Sequence, residues 1–195
     1  ADSDISTAKT YTHLLDFPAN GNPATVNGVL FTAADMSGSA GGYSWSSVNP
    51  PTGVWNDAPN DATRTGVDRL LWDFIYGSMD FTLTLSNLTP GKAYETRLYF
   101  RNFASNTRYV TLTFTAGAHE VGSLYCNPDS GVTGTRSWVG CRYTADSAGT
   151  VTVRVLSHVT NDKCHLYGLS NEELAGSASP VLTVASATGA SAKFE

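Results

Sequence analysis

Two short clusters combine the side chains that sugar recognition requires. Tyr43-Ser44-Trp45 and Trp55-Asn56-Asp57 sit in one stretch of chain, with Asn60, Asp61 and Arg64 within a loop length of the second. A pyranose offers a CH-rich side to a flat aromatic ring and hydroxyls to planar amides, carboxylates or guanidinium groups. Tyr43, Trp45, Trp55, Asn56, Asp57, Asn60 and Arg64 therefore form a candidate ligand-binding set. Two readings stand side by side: the indoles plug an open end of the fold, or they line a groove. The polar neighbours favour the groove, because stacking alone does not orient a sugar. A second candidate lies on the strand-like stretch from Glu95 to Asn102. Its alternation puts Glu95, Arg97, Tyr99 and Arg101 on one face. That face is either solvated or, if concave and roofed by the 35–68 segment, a groove in which Arg97, Tyr99 and Arg101 contact ligand.

Metal and thiol chemistry is sparse. Asn56, Asp57, Asn60 and Asp61 are oxygen donors of the kind Ca²⁺ takes, and Asp57 and Asp61 are the candidate ligands, although EF-hand spacing is absent. His158, Cys164 and His165 do not make a zinc set, since Cys164 and His165 point to opposite faces of a strand. Three cysteines are too few for a disulfide framework. Two readings are open: three buried thiols, or Cys126 and Cys141, which flank a Pro/Gly-rich stretch, paired across a hairpin with Cys164 free, and the pairing is the outcome expected. No Gly-x-Ser-x-Gly elbow, His-Glu-x-x-His, phosphate loop or dinucleotide fingerprint occurs. Among only five Glu, no pair suggests glycosidase carboxylates. The expectation is a non-enzyme with no cofactor beyond a structural Ca²⁺.

The elements that must hold these residues are strands. The 195 residues include 24 Thr and 20 Ser but only four Lys and five Glu, so strong surface helix-formers are nearly missing. Apolar and polar residues alternate in Met79 to Leu85, Val110 to Thr115 and Val151 to Val155. Further strands are expected at 11–17, 29–32, 69–75, 93–103, 136–144 and 164–169, separated by Asn20-Gly21, Pro90-Gly91, Ala116-Gly117 and Ala148-Gly149. Trp72, inside the apolar 69–75 run, is expected in the core. Nine or ten strands in one domain predict an all-β, two-sheet antiparallel sandwich. The 35–68 segment breaks the rhythm with Gly and Pro and reads as a functional or locally disordered loop. The organisation expected is an N-terminal extension over 1–9, the sandwich over 10–175, and an Ala/Ser/Gly-rich tail, linker or edge strand over 176–195. A net charge of −5 opposes a phosphate-tracking surface, so nucleic acid is not expected as a partner. No apolar run spans a bilayer, so a membrane is not expected either.

Leu88-Thr89-Pro90-Gly91-Lys92-Ala93-Tyr94 resembles the Leu-x-Pro-Gly-x-x-Tyr corner of extracellular β-sandwiches. With the early Gly28-Val29-Leu30-Phe31 and the late His165-Leu166-Tyr167-Gly168-Leu169, the arrangement is similar to a galactose-binding-like or malectin-like jelly roll over about residues 10 to 172. That resemblance implies a carbohydrate-binding module of a secreted or cell-surface, multi-modular bacterial protein, and adds weight to a structural calcium. The function expected is non-catalytic binding of a polysaccharide or glycan, holding an attached enzyme or cell surface against it, with neighbouring modules as further partners. The alternatives are a surface adhesion or structural sandwich without a sugar ligand, and a jelly-roll polysaccharide lyase using Tyr, His and Arg.

Overall fold

Alternating apolar residues make strands only if each apolar face finds another, and here two large sheets supply each other's cover. The computed structural model describes residues 4–18, 23–34, 40–56, 63–77, 79–104, 106–129, 132–158, 163–186 and 191–192. In chain order the strands are β1 (Thr10–Asp16), β2 (Thr25–Val26), β3 (Val29–Leu30), β4 (Thr32–Ala33), β5 (Tyr43–Asn49), β6 (Gly53–Trp55), β7 (Phe74–Gly77) and β8 (Asp80–Leu85). They continue as β9 (Ala93–Arg101), β10 (Val110–Ala116), β11 (His119–Cys126), β12 (Arg136–Thr144), β13 (Val151–Ser157), β14 (Cys164–Leu166), β15 (Gly168–Leu174), β16 (Val181–Ser186) and β17 (Ser191–Ala192). One helical turn, α1 (Gly66–Leu70), precedes β7.

The larger sheet has the order β17-β16-β12-β9-β15-β1-β4 and the second the order β11-β10-β13-β8-β5. Their inner faces meet in one cluster, with Val110, Leu112, Phe114, Val151, Val153, Val155, Phe81 and Leu83 against Tyr94, Leu98, Phe100, Val139 and Tyr143. The all-β sandwich expected from the sequence is the fold observed. The corner is formed as its residues imply: Gly91 sits at a φ of 77° and the backbone N–H of Thr89 donates to the Tyr94 hydroxyl at 2.9 Å.

Two expectations fail for physical reasons. The 69–75 run is not a strand. It splits into α1, a turn and β7, because Arg69 reaches Asp73 four residues on, both nitrogens lying 3.0 Å from its carboxylate in a buried pair. The 35–68 segment is not one long loop, since it contains β5, β6 and the start of α1.

The larger sheet is also covered on its outer face. Ile5, the hairpin residues Val26 and Val29, Phe31, and Leu70 and Leu71 around α1 pack with Tyr99 and Tyr167 as a second apolar layer. Every residue from Ala93 to Phe100 is consequently buried. A third, small sheet, β14-β7-β6, sits where β9 finishes and β12 and β15 begin. No helix among the described residues is long and apolar enough to cross a membrane.

Candidate functional site

The small sheet places one of the chain's four tryptophans at the surface. In β6, Gly53 stands opposite Tyr76, Val54 opposite Ile75 and Trp55 opposite Phe74. Gly53 is required there: a Cβ would lie 2.5 Å from the Tyr76 ring. The bare glycine lets Tyr76 fold over the strand and so fixes a register that sets Trp55 against Phe74. The Trp55 and Phe74 rings are nearly parallel, 9° apart with centroids at 6.1 Å, and Phe103 meets the indole edge-on at 5.9 Å. Trp55 nevertheless remains 44% exposed. It is a ring held rigidly from behind and open in front, which is what a stacking platform requires.

The layers behind it explain that rigidity. Phe74 stacks on His165 at 4.1 Å, and Tyr167 and Phe103 close the cluster. Burial, with the Arg108 cation nearby, pushes His165 down to about 3, so the imidazole is neutral and packs as an aromatic. Arg108 forms a buried ion pair with Asp129, whose carboxylate also accepts from the backbone N–H of Phe103 at 2.5 Å and of Asn106 at 3.1 Å. This pair ties down the segment that carries Phe103.

Beside this cluster lies a second arrangement. Trp72 follows α1 and is half-buried, not core as expected. The Arg64 guanidinium carbon lies 3.1 Å from its ring centroid and that of Arg101, the last residue of β9, lies 5.0 Å away. Both lead to Trp55: Trp72 is two residues before Phe74, and Arg101 two residues before Phe103.

Of the sequence-derived candidates, the structure therefore sets Arg64 and Arg101 on Trp72 and Trp55 on Phe74 and Phe103, two sets linked through the chain, with Asn56 directly after Trp55 and half-buried. It separates the others. Tyr43 and Trp45 belong to β5, where Tyr43 stands in line with Leu85, Val151 and Ala116, and Trp45 with Leu83, Val153 and Phe114. Both face inward, Tyr43 within the core and Trp45 packed against it, touching Phe17 and Phe81. The strand period of 2 in Tyr43-Ser44-Trp45 was the signal for this, obscured by the surrounding glycines.

Arg97 and Tyr99 do not line a groove. Arg97 is clasped by Glu95 and Asp4 and lies over Trp138, while Tyr99 meets Phe31 and bonds Ser170 at 2.8 Å. The roof over this face is the N-terminal segment and the β2–β3 hairpin. Asp57, Asn60 and Asp61, and with them the calcium candidate, lie outside the described residues.

The expected Cys126–Cys141 bridge is absent, and all three thiols are free. Cys126 ends β11 in the smaller sheet, whereas Cys141 sits mid-strand in β12 of the larger one, paired with Thr96 and Leu182. The intervening Pro/Gly stretch connects two sheets; it does not close a hairpin.

Sequence reasoning also missed an aromatic pair on the smaller sheet. Tyr109 and Tyr125 stack at 5.0 Å within 1° of parallel, His158 meets Tyr125 edge-on, and Tyr125 is 59% exposed. Thr111 opposite Tyr125 and the strand His119–Cys126 were the available clue.

The fold and site define the class as a β-sandwich whose larger sheet is buried on both faces along its strand β9, with an aromatic–arginine cluster where that strand ends. No protein-family profile and no curated protein matches the sequence. Among solved structures, the plant receptor-like kinase ANX2 aligns with a TM-score of 0.57 and 11% identity, over 85% of this chain and 48% of that one. The ANXUR1 extracellular domain from Arabidopsis thaliana gives 0.52 and 11%, over 83% and 42%. The Clostridium thermocellum xylanase 10B CBM22-1–GH10 modules, complexed with xylohexaose, align at 0.40 and 10%, over 70% and 27%. The likeness to the two plant proteins is one of fold, and this chain spans a little under half of their length.

Proposed function

We propose that this chain is a non-catalytic glycan-binding module, with Trp55 as the stacking platform and Asn56, Arg64 and Arg101 as its polar rim. The observation that carries the reading is Trp55 itself, 44% exposed yet held from behind by Phe74 and Phe103. An indole so placed keeps a large apolar face in water, which a sugar's CH face covers. The setting proposed is extracellular, within a longer protein whose other modules are held against a polysaccharide or cell surface. A lyase reading has less support: His165 and Tyr167, which pack against Phe74 behind the platform, are buried, and the Tyr167 hydroxyl bonds the Arg101 carbonyl at 3.3 Å. A proton-abstracting base must reach its substrate.

The test is a glycan array followed by affinity electrophoresis of wild type, Trp55→Ala and Tyr125→Ala. Trp55→Ala is expected to abolish retardation while retaining the strand-type circular dichroism. Truncating a ring with roughly 130 Å² covered removes about 3 kcal/mol of burial, so Tm falls but the chain stays folded at 20 °C. The exposed Tyr109–Tyr125 pair favours a second reading, with glycan lying along the smaller sheet. Loss of binding in Tyr125→Ala alone selects that reading, and binding unchanged in both variants refutes both platforms.

A further inference from the structure

The arginines of this chain divide unequally. Six of the eight pair with a carboxylate: Arg69 with Asp73, Arg97 with Asp4 and Glu95, Arg108 with Asp129, Arg136 with Asp68, Arg142 with Glu95 and Arg154 with Asp80. Among the described residues, Arg64 and Arg101 have no such partner. These two lie against the same indole, Trp72, at 3.1 and 5.0 Å from its centroid. In a chain of net charge −5, two guanidinium groups on one ring with no carboxylate partner among the described residues are not what surface neutralisation produces.

The polar atoms at this point are donors. Guanidinium and indole N–H groups donate and never accept. Arg64 Nε and Trp72 Nε1 are both buried and both lack a hydrogen-bond partner. A buried donor without an acceptor is costly, and two neighbouring cations repel each other even when each gains from the ring they share. One oxyanion would relieve both penalties, because a planar carboxylate or a sulfate accepts from a guanidinium fork through two oxygens. The cluster is continuous with the platform, since Arg101 leads into Phe103 and Trp72 into Phe74, the two rings that hold Trp55.

We infer that Arg64, Trp72 and Arg101 form an anion subsite that makes this module select acidic glycans, those carrying a uronate carboxylate or a sulfate ester, over neutral ones. The inference rests on the glycan-binding reading and adds the ligand's charge to it. Trp55 takes the apolar face of one sugar ring while the arginine pair takes the oxyanion of the same or the next ring.

Affinity electrophoresis decides the matter with four polymers: polygalacturonate, its methyl-esterified form, dextran sulfate and dextran. The wild-type chain is expected to bind polygalacturonate or dextran sulfate at least tenfold more tightly than the esterified or unsulfated counterpart. Preference for the first acid identifies a carboxylate, and preference for the second a sulfate. Arg64→Gln/Arg101→Gln is expected to bring the ratio to near unity with the residual binding still dependent on Trp55. Arg64→Lys/Arg101→Lys, which keeps the charge and the packing stem but loses the fork, should keep only part of the preference. Equal affinity for acidic and neutral polymers, with Trp55 still essential, overturns this inference and leaves the glycan reading standing. An unchanged ratio in the double Gln variant also overturns it, as does equally tight retardation by single-stranded DNA, which would reveal bare charge attraction. Absence of retardation by every polymer overturns both readings.

Discussion

Replacing Arg97 by leucine removes the cation at the centre of a buried charge cluster, and the consequence can be worked from the contacts. Arg97 is 4% exposed at its outer-face position on β9 and Glu95, two residues before it on the same face, is 1% exposed. The guanidinium contacts Glu95 directly, reaches Asp4 at 3.0 Å and lies 4.3 Å from the Trp138 centroid. Without it, the cation left to Glu95 among the described residues is Arg142, whose Nε is 3.2 Å away on a half-exposed side chain. Leaving a buried carboxylate short of its cation costs about 3–5 kcal/mol, and Asp4 loses its direct link to β9 while keeping Lys9 at 2.7 Å. For a chain of this length each kcal/mol moves Tm by about 2–4 °C, so the midpoint should fall by roughly 10 °C. Urea denaturation of Arg97→Leu, Glu95→Gln and the double variant is the assay. The double variant should recover much of the loss, since it removes the unpaired charge along with its partner. Glycan affinity in the folded Arg97→Leu variant should match wild type. A variant of undiminished stability that no longer binds glycan would refute the reasoning and return this face to the role of a groove.

Two further outcomes follow from groups the fold has buried. His165 stays neutral down to about pH 3 in the folded chain but ionises near 6.5 when unfolded, so between these values the unfolded state holds the extra proton. Its stabilising contribution is complete above pH 6.5 and shrinks as pH falls toward 3, by up to about 1.4 kcal/mol per unit. Burial lowers His13 too, which adds to the same slope. Thermal melts from pH 7 to pH 4 should show the decline, and His165→Asn should flatten part of it. If the slope is unchanged in that variant, the imidazole is already charged in the fold. Burial pushes the Cys141 and Cys164 thiols up to about 12 and Cys126 up to about 11. A maleimide at pH 7 should therefore label Cys126 slowly and the other two only after denaturation, where all three react. A mass two daltons short of the fully reduced chain would instead reveal a bridge.

How much the sequence disclosed depends on whether the signal was local. The strands with strict alternation, such as 79–85 and 110–115, are present because their apolar side needs one partner face and the pattern states which side that is. The Tyr94 corner was legible for the same reason, its bond to Thr89 spanning five residues. Tyr43 and Trp45 were misplaced because the neighbouring glycines suggested a loop while the two-residue period, over only three residues, was weaker evidence. The outer face of β9 was misjudged for a different reason. Glu95, Arg97 and Tyr99 have the composition of a solvated face, and only the distant segment holding Asp4, Ile5 and Phe31 converts it into an interior. The pairing of Cys126 with Cys141 failed likewise, since nothing near those residues says that the chain changes sheets between them.

Arg97 and Arg101 show how far position, and not residue type, decides the part an arginine plays. They occupy the same face of one strand, four residues and about 13 Å apart. Arg97 lies under the N-terminal segment, where water is excluded, so its charge had to be matched within the chain by Glu95 and Asp4. Arg101 is the terminal residue of β9, only partly buried, and meets Trp72 in place of a carboxylate. An unmatched cation is tolerable at that point because water still reaches it, and that access is also what a ligand requires. The two substitutions should therefore separate cleanly. Arg101→Gln is expected to lower affinity for polygalacturonate or dextran sulfate severalfold with Tm within about 2 °C, the range of an exposed substitution. Arg97→Leu is expected to do the reverse. Loss of stability in both would mean that the cover extends over the strand end and that Arg101 belongs to the interior with Arg97.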